Sequence, residues 1–142
     1  MFLSASPYTI TKGQFSPDGK WVAYLSNETT RFEAYVTSFP DANGKWQISA
    51  DGADSVRWFP KGQALLYHRT DGTIVRVPFL AHGKDAELGA PQIYVTARAY
   101  RLETSTTWDV AADGRVIVNS LLGGDTHTIE MVVNWTAALK KK

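Results

Sequence analysis

The hydrophobic positions of this chain fall in short runs that are rich in β-branched and aromatic residues, a pattern typical of β-strands. Such runs cover residues 21–25, 34–39, 65–68, 74–77, 116–118 and 129–133. Turn-forming residues separate them at short intervals, and the only segment that favours a helix is 135–139, just before the C-terminal lysines. We therefore predict an all-β chain.

Two turns carry specific signals. Ser16-Pro17-Asp18-Gly19 predicts a type I turn, because proline fixes φ at the second position and glycine follows the turn without strain. Asp71-Gly72 stands between two strand-like runs and predicts a tight two-residue hairpin in which both central residues have a positive φ.

The strands also repeat. Residues 15–24 are echoed by 58–67 and, more loosely, by 110–118, where Ala-Ala-Asp replaces Ser-Pro-Asp. A period of about 40–50 residues with four short strands per unit indicates β-propeller blades. We predict one half-propeller domain, residues 1–142, with antiparallel blades near 13–49, 55–95 and 107–134. The extra length of the second blade is assigned to a loop, Phe79–Ala90, and the third blade has no obvious fourth strand.

These repeats resemble those of TolB-like (WD40-like, PD40) propellers. The segments that carry the resemblance are 14–24, 26–28, 34–36, 39–40, 44–49 and 57–58, and residues 132–135 are similar to the end of propellers attached to certain bacterial serine/threonine protein kinases. The resemblance implies a propeller, commonly six-bladed, and roles in protein–protein contact. It implies no kinase activity, because the chain has neither a glycine-rich loop nor a His-Arg-Asp run.

Three blades alone leave the outer faces of the first and third blades uncovered, which is a liability for a monomer. Two copies would give six blades, so we expect a homodimer that closes the ring. The N-terminal strand 1–6 would then complete the partner's last blade. The self-association strands would contain Phe2, Leu3, Ser4, Met131 and Val133. The rival is a monomer that stays open or folds its own N-terminus back.

Composition narrows the chemistry. The 142 residues are 44% hydrophobic and 20% charged with a net charge of +1, so nothing favours nucleic acid or a membrane as a partner. Cysteine is absent, which excludes disulfides, zinc–thiolate sites and a cysteine nucleophile. The start of the chain lacks the features of a signal peptide, so we expect a cytoplasmic location, although full-length relatives can place this domain outside the membrane.

No motif for catalysis or metal binding is evident. His68, His82 and His127 have no partner at metal-ligand spacing, so we interpret them as surface or packing residues and expect no cofactor. No serine lies in a Gly-x-Ser-x-Gly elbow. Asp18, Asp71 and Asp113 each precede a glycine, which indicates turn formation rather than cation binding.

The first strand of a propeller blade is the innermost, so alternate side chains on it line the central channel. This register selects four candidate channel-lining residues: Gln14, Arg57, Thr107 and Asp109. A water-filled channel without a ligand is the simpler alternative. We expect a non-enzymatic module that binds a protein or peptide after self-association. The alternatives are a hydrolase or lactonase-type enzyme that uses the channel, and an orphan gene fragment without a ligand.

Overall fold

The computed structural model describes residues 6–96, 108–121 and 127–132. In these residues the chain is all-β, with no helix and with its strands arranged in three antiparallel sheets. The all-β prediction is therefore confirmed. The segments predicted to pair between copies at the N-terminus (Phe2, Leu3 and Ser4), together with Thr107, Val133 and the helix candidate 135–139, lie outside the described residues.

The first sheet is a four-stranded meander in which each strand pairs with the next. Its strands are β1 (Ile10–Phe15), β2 (Trp21–Ser26), β3 (Glu33–Ser38) and β4 (Lys45–Gln47). β2 and β3 match the predicted runs 21–25 and 34–39, and β1 starts before the predicted blade boundary at residue 13, because a bulge between Thr11 and Gln14 lets the pairing with β2 continue to Ile10.

The second sheet has five strands. They are β5 (Ser55–Trp58), β6 (Ala64–His68), β7 (Thr73–His82), β8 (Asp85–Leu88) and β9 (Gln92–Thr96). The long strand β7 pairs with β9 along its first half and with β8 along its second half. The prediction of a loop over Phe79–Ala90 was wrong: the segment forms a hairpin, because Phe79 and Leu88 pack against the core and hold the strands in place.

The third sheet consists of β10 (Trp108–Val110), β11 (Val116–Leu121) and β12 (His127–Val132), paired in that order. Within the described ranges β12 has no neighbour on its other edge. Met131, one of the predicted self-association residues, lies opposite Ile117 in the β11–β12 register.

The three sheets are stacked face to face in chain order. The core between the first and second sheets is apolar and aromatic; its largest members are Trp21, Leu25, Trp58, Tyr67 and Phe79. A second core between the second and third sheets contains Leu66, Ile74, Tyr94, Trp108 and Val116. The second sheet is thus covered on both faces, whereas within residues 6–96, 108–121 and 127–132 the first and third sheets each pack against another sheet on one face.

Recurrent glycine turns connect the first and second strands of each sheet. Gly19 has a φ of 72° and its N–H donates to the carbonyl oxygen of Ser16 at 2.9 Å, which confirms the predicted turn. At Asp71-Gly72 the prediction was wrong, because only Gly72 has a positive φ (93°). The backbone N–H of Thr73 donates to the Asp71 carboxylate at 2.9 Å, and the loop has three residues, a type I turn followed by the glycine.

Candidate functional site

The first strands of the three sheets, β1, β5 and β10, are linked by direct contacts, and we call them the first-strand row. The Lys12 Nζ donates to the carbonyl oxygen of Asp54 at 2.7 Å, which joins β1 to the start of β5. The Trp108 Nε1 donates to the Ser55 hydroxyl at 2.7 Å, which joins β10 to β5. The row is therefore one continuous wall built from all three sheets.

Gln14 connects the first two strands of this row. Its side-chain Oε1 accepts the backbone N–H of Trp58 at 3.0 Å, and its own carbonyl oxygen accepts the Trp58 indole N–H at 3.2 Å. Trp58 is buried, so both donors would be unpaired without Gln14. Gln14 acts as an inter-sheet link, and its side-chain oxygen is engaged.

Arg57 and Asp109 connect the second and third strands of the row. The Arg57 Nε lies 3.8 Å from Asp109 Oδ1, and the guanidinium carbon lies 6.0 Å from the centre of the Trp108 ring. The Arg57 side chain is 19% exposed and that of Asp109 is 72% exposed. Because the carboxylate is open to water, the ion pair contributes about 0–1 kcal/mol to stability, and Asp109 is available to other partners.

Three of the four predicted channel residues occupy equivalent places. In their own sheets Gln14 pairs with Ala23, Arg57 with Leu66 and Asp109 with Ile117. The structure brings Arg57 and Asp109 together and places Gln14 next to the backbone that follows Arg57. The row thus presents an amide, a guanidinium and a carboxylate in succession, groups that suit hydrogen bonds and ion pairs with a polar chain.

A buried polar cluster behind the row was not predicted. The His68 Nδ1 lies 2.7 Å from Asp54 Oδ1, and the Ser55 hydroxyl donates to the same oxygen at 3.1 Å. His68 and Asp54 thus share one hydrogen bond through Nδ1, and within the described ranges the buried Nε2 of His68 has no hydrogen-bond partner. The sequence carries only a weak signal for this contact. Asp54 lies near His68 because its neighbour Ser55 pairs with His68 in the β5–β6 register, and that register is not evident from the sequence.

This cluster is not arranged as a nucleophile and its base. Ser55 and His68 both direct their hydrogen bonds at Asp54, and both side chains are buried. A serine nucleophile needs a base within hydrogen-bond reach and access for a substrate. The geometry instead joins the edge of β5 to β6, and through Ser55 to Trp108 of the third sheet.

A second unpredicted group surrounds the buried carboxylate of Glu33. It accepts hydrogen bonds from Arg31 Nε at 2.7 Å, from the backbone N–H of Gly52 at 2.9 Å and from the Ser49 hydroxyl. These contacts fix the segment that follows β4 against β3. This group could have been predicted from the position of Glu33 at the start of a strand that reads as buried, because a buried carboxylate needs hydrogen-bond partners.

The three aspartates that precede glycines form turns, as predicted. Each carboxylate accepts the backbone N–H two residues later, at 3.1 Å for Asp18, 2.9 Å for Asp71 and 3.1 Å for Asp113. A hydrogen bond from the Ser16 hydroxyl lowers the pKa of Asp18, and the backbone N–H groups lower the pKa of Asp71 and Asp113. Among the described residues, no three histidine, aspartate or glutamate side chains are grouped so as to hold a metal ion.

No family model matches the chain, and no curated protein matches it. The resemblance to TolB-like propellers therefore stays a prediction from the residues that carry it. No helix of the described ranges has the length and apolarity to cross a membrane. The function is accordingly argued from the geometry of the first-strand row.

Proposed function

We propose that this chain is a non-enzymatic binding module of the TolB-like propeller type, in which the first-strand row contacts a protein or peptide. Two copies complete a ring of six sheets, with the row of each copy lining the shared channel. The observation that supports this proposal is the equivalent placement of Gln14, Arg57 and Asp109 on three adjacent first strands.

The chemistry of the row favours a polar, extended ligand. Asp109 offers an exposed carboxylate, Arg57 offers a guanidinium beside it, and Trp108 lies under that guanidinium. A peptide presents alternating N–H and C=O groups that match such donors and acceptors. Burial of Ser55 and His68 keeps both side chains from a substrate, which favours binding over hydrolysis.

Selection of peptides on the immobilised chain tests the proposal. Peptides retained from a random library would be labelled and titrated against the wild type and Asp109→Ala, and we expect affinity to fall about tenfold when the charged acceptor is removed. Asp85→Ala is the matched control, since Asp85 is an exposed aspartate on β8, away from the row. Failure to retain any peptide, or equal affinity for the wild type and Asp109→Ala, would contradict the proposal.

A further inference from the structure

The outer face of the first sheet carries an exposed aromatic pair. Phe15 is 56% exposed and Phe39 is 38% exposed, although their rings meet edge to face with centroids 5.0 Å apart and planes at 86°. The opposite face of this sheet, which includes Trp21, packs against the second sheet. The two rings therefore contact each other and remain partly exposed.

The second sheet contains the same pair in a buried form. Trp58 and Phe79 also meet edge to face, with centroids 5.0 Å apart and planes at 88°. Both are buried against the first sheet, where Trp21 approaches Phe79 to 5.1 Å. The rings of this pair thus form the contact by which the second sheet docks on the first.

The two pairs occupy equivalent positions. Phe15 ends β1 and Trp58 ends β5, each just before the glycine turn of its sheet. Each pairs with the second residue of the following strand, Val22 and Leu65 respectively. The backbone N–H of Phe39 donates to Lys20 O at 2.8 Å, and that of Phe79 donates to Gln63 O at 2.9 Å. The outer face of the first sheet is therefore built like the face that the second sheet buries.

The third sheet has the complementary open face. Ile117 is 38% exposed, whereas its equivalents Ala23 and Leu66 are fully buried by the sheet that follows each of them. Arg115 stands at the position that Trp21 holds in the first sheet, because the carbonyl oxygen of each accepts the backbone N–H of the residue that opens the turn, Ala111 and Ser16 respectively. A guanidinium at this place can lie over an aromatic ring.

We propose that the outer face of the first sheet, at Phe15 and Phe39, docks the outer face of the third sheet of a second copy, at Ile117 and Arg115. This inference rests on the self-association in the proposed function. The occupant is a second copy because the contact continues the sheet-to-sheet interface already present in the chain. Each chain has one first-sheet face and one third-sheet face. Two copies therefore form two identical interfaces, each between the first sheet of one copy and the third sheet of the other, and the dimer is a closed ring.

The contact concentrates at the end of the face that holds the aromatic pair. Farther along, Val22, Tyr24 and Tyr35 are already buried, and Ile10 is the described residue that packs against them.

The solution mass of the full chain tests the inference, by light scattering on a sizing column. The wild type is expected at twice the 15.7 kDa chain mass. Phe15→Asp and Ile117→Asp should each raise the dimer dissociation constant about 100-fold or more, because either change places a carboxylate in an apolar contact. Both residues are exposed, so circular dichroism should show an unchanged fold. Leu80→Asp, an exposed position on β7 outside both faces, should remain dimeric.

Mixing the two variants tests the head-to-tail arrangement. Phe15→Asp keeps an intact third-sheet face and Ile117→Asp keeps an intact first-sheet face, so the mixture should form a heterodimer through one restored interface. A dimer that Ile117→Asp leaves intact, or a mixture that stays monomeric, would overturn the inference while leaving self-association and peptide binding standing. A monomeric wild type would overturn the inference and the ring, but not peptide binding, which the peptide titration measures separately.

Discussion

Thr30 has a backbone conformation that β-branched residues rarely adopt. Its φ is 77°, and its N–H donates to Asn27 O at 3.2 Å in the turn between β2 and β3. The corresponding turn of the second sheet has Gly72 at this place. We predict that Thr30→Gly raises the free energy of unfolding by about 1 kcal/mol, because relief of the left-handed conformation outweighs the added backbone entropy of glycine.

Urea unfolding checks this prediction through the transition midpoint. Thr29→Gly is the matched control, since Thr29 lies in the same turn without a positive φ, and it should lower the midpoint. If Thr30→Gly lowers the midpoint as Thr29→Gly does, the turn stores no strain that glycine can relieve.

Tyr24 links stability to alkaline pH. Burial raises the pKa of Tyr24 to about 12 from its ordinary value of 10.0. The folded state thus favours the neutral phenol, so this contribution to stability is complete below about pH 10 and is lost as the pH rises toward about 12. Burial also raises the pKa of Tyr35, Tyr67 and Tyr94.

We predict that Tyr24→Phe reduces the slope of stability against pH in that window without abolishing it. Thermal midpoints measured across the alkaline range give the slope, and tyrosinate absorbance reports ionisation. Tyr8→Phe, at an exposed position, is the control and should leave the slope unchanged. An identical slope for Tyr24→Phe and the wild type would show that Tyr24 ionises without cost to the fold.

Among the elements, the equivalence of the first two sheets can be tested with one pair of substitutions. Phe79 is buried between sheets, whereas Phe39 stands at the same position on the outer face and is 38% exposed. Phe79→Ala should cost about 3–5 kcal/mol of unfolding free energy, as expected for a large cavity. Phe39→Ala should cost about 1 kcal/mol or less when measured at a chain concentration that gives monomers. Equal costs for the two variants would contradict this account of the faces.

The sequence predicted most strands because their β-branched and aromatic runs repeat with glycine turns between them. It missed the β7–β8 hairpin, since residues 83–90 are rich in glycine, alanine and charge and their strand pairing depends on Phe79 and Leu88 reaching the first sheet. The equivalent strand positions of Gln14, Arg57 and Asp109 could be predicted because the period of two on aligned strands is a local pattern. The His68–Asp54 contact was not, because it depends on cross-strand register.

At the scale of the whole molecule, the second sheet has another sheet on both of its faces. All five residues of β6 are buried, as are all six of β2 and all six of β3, whereas β1 has no fully buried residue. We predict that amide hydrogens of β6 exchange slowest and follow global unfolding, while those of β1 and β10 exchange through smaller openings. Hydrogen exchange followed by mass spectrometry measures this order, and a β10 as slow as β6 would contradict it.

The repeated docking face also bears on how such chains change length. The second sheet packs against the sheet before it through the face that holds Trp58 and Phe79, and against the sheet after it through the face that holds Leu66. A sheet with two such faces can be duplicated in tandem, because the copy also has one face for each neighbour. Insertion of a second copy of residues 10–54 would add one more strand to the first-strand row without requiring a new kind of core. Growth by internal gene duplication is thus compatible with this architecture, since successive sheets meet through equivalent strand positions.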